Sequence, residues 1–539
     1  MGLLNSSRCN MTSYAIYIWI FILLLKCVTA AKRPNIIIIV ADDLGWNDVS
    51  FHGSNQIPTK NIDSLASEGI ILNNYYVSPI CTPTRSALMT GRHPIHTGMQ
   101  HGVICSSQTY GLPLNETLMP EYLNKLGYTS HIVGKWHLGF ISEDYTPTKR
   151  GFSSHFGYWL GAESYYLHLA GRGDYLGYDF HRNLDVAKDA LGHYSTEIFT
   201  QEAVKIIKNH NETKPLFLYL PYQAVHSSSI QPYLEAPEKY TKRFPNISNK
   251  QRKLFAGMVA ALDDGVGEVV NALKSSGMYD NSIILFSTDN GGPANGYNEN
   301  AASNWPLRGM KNTLWEGGVR GVGFLHSPLL KKNGYISEQM VHVCDWLPTL
   351  YSAAGGNPDE EPRMKNLDGY DLWSMLSNNG KSVRTEILHN IDPIRKFAAI
   401  RVNNYKLLIG HVASRGNWYP PYNESERYLS NEFDDWFSQD NDFPVKMITH
   451  PKTVRVNCGG PKPPDAFHNC DDFKKPCLFN IASDPCEYHN VADQNPEILK
   501  YLMKRLLKYE ATMVPPGNKP QDPAGFPIHH NGIWTPWLK

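Results

Sequence analysis

Asn35-Ile36-Ile37-Ile38-Ile39-Val40-Ala41-Asp42-Asp43 decides the fold. A half-exposed strand alternates apolar with polar residues, so an uninterrupted β-branched run of this kind reads as a strand covered on both faces. It breaks directly into two carboxylates. The same form recurs along the chain: Ser130 to Val133 leads into Lys135-Trp136-His137, Leu216 to Leu220 leads towards His226, and Ser282 to Phe286 leads into Asp289-Asn290. Helical stretches lie between them, at Asn61 to Glu68, Leu118 to Leu126, Thr196 to Lys208 and Lys250 to Lys274, as crossover connections require. The fold class is therefore α/β. Ligands of open α/β sheets collect outside the carboxyl ends of the strands, so these polar endings are expected to converge on one crevice.

A chain of 539 residues, 42% hydrophobic and 12% aromatic, is too long for one average domain, and two are expected. After Ile387 the pattern changes. Phe397 to Arg401 and Tyr405 to Ile409 read as a hairpin joined at Asn403-Asn404, and the stretch from there to about Trp436 is rich in Tyr, Pro, Asn and Ser. This sets residues 31–388 as one domain and 389–539 as a smaller C-terminal α+β domain with an antiparallel sheet and long loops. No internal repeat is evident. The formal net charge is +0, which excludes a global field of the kind that gathers nucleic acid.

Residues 1–30 read as a signal peptide, with Arg8 before an apolar run from Tyr14 to Leu25 and a small-residue cleavage site at Val28-Thr29-Ala30. The run is short for a membrane span, so no stable span is expected. Sequons at Asn115, Asn211, Asn246 and Asn423 agree with secretory routing, to the outside or to the lysosome. Cys458, Cys470, Cys477 and Cys486 lie close together and are expected to staple a C-terminal loop; a zinc site is the alternative, which an oxidising route disfavours. Cys344 reads as a buried free thiol on a helix.

Asp42-Asp43 can be a helix cap. With Asp289-Asn290 at another strand end, the pair reads instead as an oxygen-donor site for Ca²⁺ or Mg²⁺. Zinc is disfavoured because no His/Cys ligand set stands nearby. Arg85, Lys135, His137, His226 and Lys311 form a basic set around this acidic site, which suits a dianion-like group whose charge must be neutralised. His226 or Lys311 can protonate a leaving oxygen. Trp315-Glu316-Gly317-Gly318-Val319-Arg320 lacks P-loop spacing and reads as a tight turn beside the site.

Cys81-Thr82-Pro83-Thr84-Arg85, continued by Ser86-Ala87-Leu88-Met89-Thr90-Gly91-Arg92, resembles the recognition sequence of the sulfatase family. Ala41 to Asp48, Gly134 to Gly139, Ser287 to Gly292 and Asn304 to Gly309 match the same family. Within it the chain is most similar to the arylsulfatases of the alkaline-phosphatase-like superfamily, of the arylsulfatase B type. The resemblance implies a large, central, mostly parallel sheet flanked by helices, a smaller C-terminal α+β domain, and hydrolysis of sulfate esters, whether sulfated carbohydrates or small molecules. It implies that a formylglycine-generating enzyme oxidises Cys81 to Cα-formylglycine. The hydrated aldehyde carries two hydroxyls on one carbon: one attacks sulfur, and the other later collapses to the carbonyl and expels sulfate. Asp42, Asp43, Asp289 and Asn290 would hold Ca²⁺ together with residue 81, while Arg85, Lys135, His137, His226 and Lys311 would bind sulfate and handle protons. His226-Ser227-Ser228-Ser229, the Pro293-to-Ser303 loop and the Glu163-to-His193 region depart from the arylsulfatase B pattern, so the outer pocket is expected to differ. A phosphatase or phosphodiesterase of the same fold would want a Ser or Thr nucleophile and two zinc ions, which the chain does not offer. A catalytically inactive glycan-binding relative is the rival from another class.

Overall fold

The computed structural model describes residues 32–412, 414–421 and 453–539. The expected signal peptide, the Asn423 sequon and the loop expected beyond Pro421 lie outside the described residues. The chain begins with β1 (Asn35–Ala41), β2 (Ile70–Tyr76), β3 (Thr129–Lys135) and β4 (Ser154–Tyr158). β5 (Leu169–Ala170) and β6 (Gly177–Tyr178) make a separate two-stranded ribbon. β7 (His181–Arg182), β8 (Asp185–Val186), β9 (Leu216–Pro221), β10 (Ser282–Thr288), β11 (Gly323–His326) and β12 (Tyr335–His342) complete the large sheet. It has 10 strands in the order β12-β2-β11-β10-β1-β9-β3-β4-β7-β8.

The centre of that sheet is parallel, from β10 through β1, β9 and β3 to β4. Antiparallel pairing enters only where β11 and β7 join towards the edges. Side chains alternate across a strand, so the isoleucine run serves two cores at once. Ile36, Ile38 and Val40 pack with Phe217, Tyr219, Ile283 and Leu285 beneath the helices Cys81–Thr90, Met119–Lys125 and Trp346–Ala353. Ile37, Ile39 and Ala41 pack with Leu218, Leu220, Ile284 and Phe286 beneath Lys60–Glu68, Ser195–Lys208 and Lys250–Ser275. Burial on both faces is why the run has no polar beat.

The second sheet is antiparallel, in the order β13 (Glu386–Asp392), β14 (Phe397–Val402), β15 (Tyr405–Gly410) and β16 (Cys477–Asn480). The β14–β15 hairpin turns at Asn403, whose φ of 51° is the left-handed conformation that asparagine tolerates in tight turns. Alternation again sorts its faces. Ile400 and Leu407 meet Leu502 and Leu506 of the helix Pro496–Glu510, whereas Ala399 and Leu408 pack with Leu314, Trp315 and Val319, from the segment behind the crevice. Disulfides join Cys458 to Cys486 and Cys470 to Cys477, giving the expected staples. Cys344 is a buried free thiol in the short 3-10 turn Val343–Asp345, and Cys105 is free and exposed.

Candidate active site

Register places the polar strand endings together. Ala41 pairs with Thr288 and Val40 with Pro221, so Asp42-Asp43 and Asp289-Asn290 leave adjacent strands at one level, and the chain after β9 reaches the same crevice. Lys135 is the last residue of β3, two strands from β1. Cys81 is the first residue of the helix Cys81–Thr90, which puts Arg85 one turn further on, and both side chains are buried.

The carboxylates do not cap helices. Lys135 Nζ donates to Asp42 Oδ2 at 2.5 Å, and Arg85 Nη2 lies 3.4 Å from the same oxygen. Arg85 donates to Asp289 Oδ2 from Nη2 at 2.8 Å and from Nε at 3.2 Å. Lys311 Nζ donates to Asp43 at 2.7 Å and stands 3.1 Å from His226 Nε2. Asn290 Nδ2 donates to Asp43 Oδ1 at 2.7 Å. Cys81 Sγ is 3.7 Å from Asp42 Oδ1. Burial alone would raise the Asp42 and Asp43 carboxyls; Lys135, His226 and Arg85 hold Asp42 below the ordinary carboxylate range, and Lys311 and His226 do the same for Asp43. Burial pushes the Cys81 thiol up despite Lys135 and Lys311, so an unmodified thiolate is disfavoured there. Burial also depresses His226, with Lys311 adding to the effect.

His137 joins the cluster less directly. Its Nε2 bonds to Ile104 O at 2.9 Å, its carbonyl accepts from Thr82 Oγ1 at 3.1 Å, and its buried Nδ1 has no hydrogen-bond partner. Burial, then Lys135 and Arg85, hold its imidazole well below the usual histidine range, so it sits neutral. Asp43 and His137 have φ of 65° and 58°, left-handed values uncommon for such residues and frequent at functional sites.

The residues present can hold a divalent cation, and tertiary packing brings a Cys and a His beside the carboxylates where the sequence pointed to no such set. Asp42, Asp43, Cys81 and His226 offer ligand atoms that all lie within 4.8 Å of one another, and Asn290 Oδ1 is a buried acceptor without a hydrogen-bond donor. Carboxylate and amide oxygens suit Ca²⁺ or Mg²⁺. Without an ion, Asp42, Asp43 and Asp289 are matched by Lys135, Lys311 and Arg85; a divalent cation would leave the pocket net positive, fit for an anionic substrate.

Supporting residues went unread in the sequence. Tyr165 donates its hydroxyl to His226 O at 2.8 Å and so fixes that loop. Asp48, buried and paired with Arg252 at 2.6 Å, accepts from Gly45 N and Ser303 N and ties the loop after β1 to the loop after β10. Gly291 has no room for a side chain, since a Cβ there would lie 1.8 Å from Gly317 O, and its N–H donates to Gly318 O at 3.0 Å. The segment read as a tight turn, the short helix Glu316–Val319, thus braces the backbone beside Asn290. Such partners are set by tertiary packing and leave no mark in local spacing.

The sulfatase family pattern matches residues 34–356. Mouse (Mus musculus) arylsulfatase J is 42% identical over 529 residues, covering 94% of this chain and 81% of that protein. Human (Homo sapiens) N-acetylgalactosamine-6-sulfatase is 32% identical over 371 residues, 64% of this chain and 66% of its own length. The crystal structure of Ps i-CgsB in complex with k-i-k-neocarrahexaose superposes with a TM-score of 0.71 at 30% identity, covering 91% of this chain and 96% of that one. With this family match spread over a crevice of buried acids and bases, the chain belongs to the sulfatase family and is a sulfatase enzyme.

Proposed function

We propose that this sulfatase cleaves sulfate esters of carbohydrates, or small sulfate esters, with Cys81 converted to Cα-formylglycine as its nucleophile and Ca²⁺ held by Asp42, Asp43, Asp289, Asn290 and residue 81. The observation that carries this reading is the placement of Cys81: buried, at a helix start, 3.7 Å from Asp42 and with its thiol held protonated among cations. A thiol in that state is a poor nucleophile, whereas a hydrated aldehyde needs no thiolate. When bound, Ca²⁺ supplies positive charge against the sulfate oxygens and orients the ester. Arg85, Lys135 and Lys311 balance the charge that builds on those oxygens as the S–O bond breaks. Lys311 and His226, 3.1 Å apart, are placed to pass a proton to the departing alcohol. His137, neutral and with an unpartnered Nδ1, accepts the proton of the remaining hydroxyl as the carbonyl re-forms and sulfate leaves.

Conversion of Cys81 requires a formylglycine-generating enzyme during maturation, and two disulfides favour an oxidising, secretory route, ending outside the cell or in the lysosome. Among the described residues no helix is long and apolar enough to cross a membrane. The outer walls, rather than the sulfate pocket, set the alcohol. Asn298 O accepts from Ser227 Oγ at 2.5 Å and Asn300 Nδ2 donates to Val225 O, so the divergent 293–303 loop leans on the His226 segment. The range is accordingly expected to differ from that of arylsulfatase B. Peptide mass spectrometry of residue 81, with kcat/KM across a panel of sulfate esters, tests the reading. Turnover by protein that carries only unmodified Cys81 refutes the mechanism, and a fully converted protein inert to every ester refutes the activity.

A further inference from the structure

A cavity of about 260 Å³, which this chemistry leaves unused, opens beside the reaction centre, with Asn312, Arg395, His411 and Arg415 among its walls. Asn312, one of its walls, directly follows Lys311 in the chain. Arg395 Nη1 donates to Asn312 Oδ1, and Arg395 Nη2 lies 4.0 Å from the position a Cβ of Gly102 would take. Gly102 is two residues before Ile104, whose carbonyl bonds to His137. Arg395 therefore lies between the residue after Lys311 and the segment whose Ile104 holds His137. Opposite it, the exposed Arg415 guanidinium lies 4.1 Å over the ring of Tyr297, whose hydroxyl accepts from Asn312 Nδ2 at 3.3 Å.

Among the described residues the charge of this cavity leans positive. Asp392 is the acid nearest Arg395, at 3.9 Å, and its carboxylate is already engaged by His101 at 2.9 Å and by the Ile394 and Arg395 N–H groups. No carboxylate among the described residues pairs with Arg415. Two guanidiniums with donors to spare form planar forks that match sulfate and carboxylate. At roughly 30 Å³ per water, the space holds such a group with the ring carbons that bear it.

We propose that this cavity is a subsite for a second anionic group, the sulfate or carboxylate on the sugar next to the one being desulfated, so that the preferred substrate is a saccharide with at least two anionic substituents. The proposal rests on the sulfate-ester reading above for the position of the first sugar. A small aryl sulfate would leave the subsite empty.

The test uses three disaccharides that share the sulfated sugar and differ in the neighbouring ring, which carries a carboxylate, a sulfate or only hydroxyls. Binding by calorimetry and kcat/KM are measured on the full-length protein and on Arg395→Gln, Arg415→Gln and the double variant. The native protein should favour one or both charged probes over the neutral one by about tenfold or more, the effect of a charge-assisted hydrogen bond. In the double variant that ratio should fall to within about twofold, and the two charged probes report which anion is read. Arg415→Gln alone, on an exposed side chain without a carboxylate partner, should lower the ratio if loss of Arg395 unfolds the mouth. A native protein that treats charged and neutral probes alike, or a preference that survives both substitutions, overturns the subsite while hydrolysis stands. Arginine-dependent binding of the charged probes without turnover of any probe supports the subsite and overturns the reading of these saccharides as substrates.

Discussion

Lys406→Met should destabilise the protein by about 3–5 kcal/mol, the cost of breaking a buried ion pair by removing one partner. Lys406, fully buried on β15, donates to Glu316 Oε1 at 2.9 Å and lies 2.9 Å, at a poorer angle, from Glu487 Oε1. Glu316 also accepts from Tyr76 Oη at 2.8 Å, and its own N–H donates to Glu487 Oε2 at 2.9 Å. Removing the ammonium leaves the Glu316 carboxylate facing Glu487 out of water, with Arg320 3.8 Å from Glu316 as the nearest remaining cation. The loss is pH-dependent with a definite sign. Burial pushes Glu487 up to about 7 even with Lys406 opposing it, whereas an unfolded glutamate titrates near about 4.3, so the folded state holds this proton across that window and stability falls as pH rises through it. Without Lys406 the proton is held still higher and the fall continues past neutrality. Urea unfolding followed by tryptophan fluorescence should therefore show a larger loss at pH 8 than at pH 5. Combining Lys406→Met with Glu316→Gln and Glu487→Gln should recover most of the stability, because no buried carboxylate then lacks its ammonium and Arg320 keeps its bonds to Asn73. A loss under about 1 kcal/mol, or one equal at both pH values, refutes this account of the network.

Cys81→Ala should abolish turnover of sulfate esters while leaving the unfolding midpoint near that of the parent, checked by the same urea titration. Asp289→Ala or Asp42→Ala should reduce bound calcium measured by elemental analysis and lower kcat/KM by orders of magnitude; stoichiometric zinc with unchanged activity would count against the oxygen-donor site. Replacing residues 293–303 with the corresponding arylsulfatase B loop should raise kcat/KM for N-acetylgalactosamine 4-sulfate ends relative to small aryl sulfates, and an unchanged ratio shows the loop to be surface variation. Asp48→Ala should cost about 3–5 kcal/mol by stranding Arg252, with denaturation as the readout.

What the sequence made legible were features with a local physical cause. A strand buried on both faces cannot hide its apolar run, so β1, β9 and β10 could be read with their polar endings, and the Asn403 turn marked the hairpin of the second sheet. Cys81 and Arg85 stood one helical turn apart in a single motif. What stayed out of reach depends on how distant segments pack. Nothing near Tyr165 says that its hydroxyl supports His226, and nothing near Arg395, some 84 positions beyond Lys311 in the chain, says that it borders the same mouth. The outer strands β7 and β8 are too short to carry a period.

This division has a consequence for function. The groups proposed to meet sulfate include Lys135 at the end of a central parallel strand and Arg85 in a helix packed on the sheet, where backbone bonding fixes each side chain, while His226 and Lys311 stand in the segments beyond β9 and β10. The groups proposed to meet the alcohol come from 163–193, 293–303 and the segment around Arg395 in the small sheet. These loops bond to the segments around the centre, as Tyr165 does to His226, Ser227 to Asn298 and Ser303 to Asp48, rather than to the side chains of Asp42, Lys135 or Asp289. The small sheet is more tightly bound in, since β14 and β15 pack on Leu314 and Trp315 while Lys406 holds Glu316. Substitutions at Arg395 and Arg415 should therefore alter which ester is chosen, whereas disruption at Lys406 should reach the reaction centre itself through Gly317, Gly318 and the backbone of Gly291.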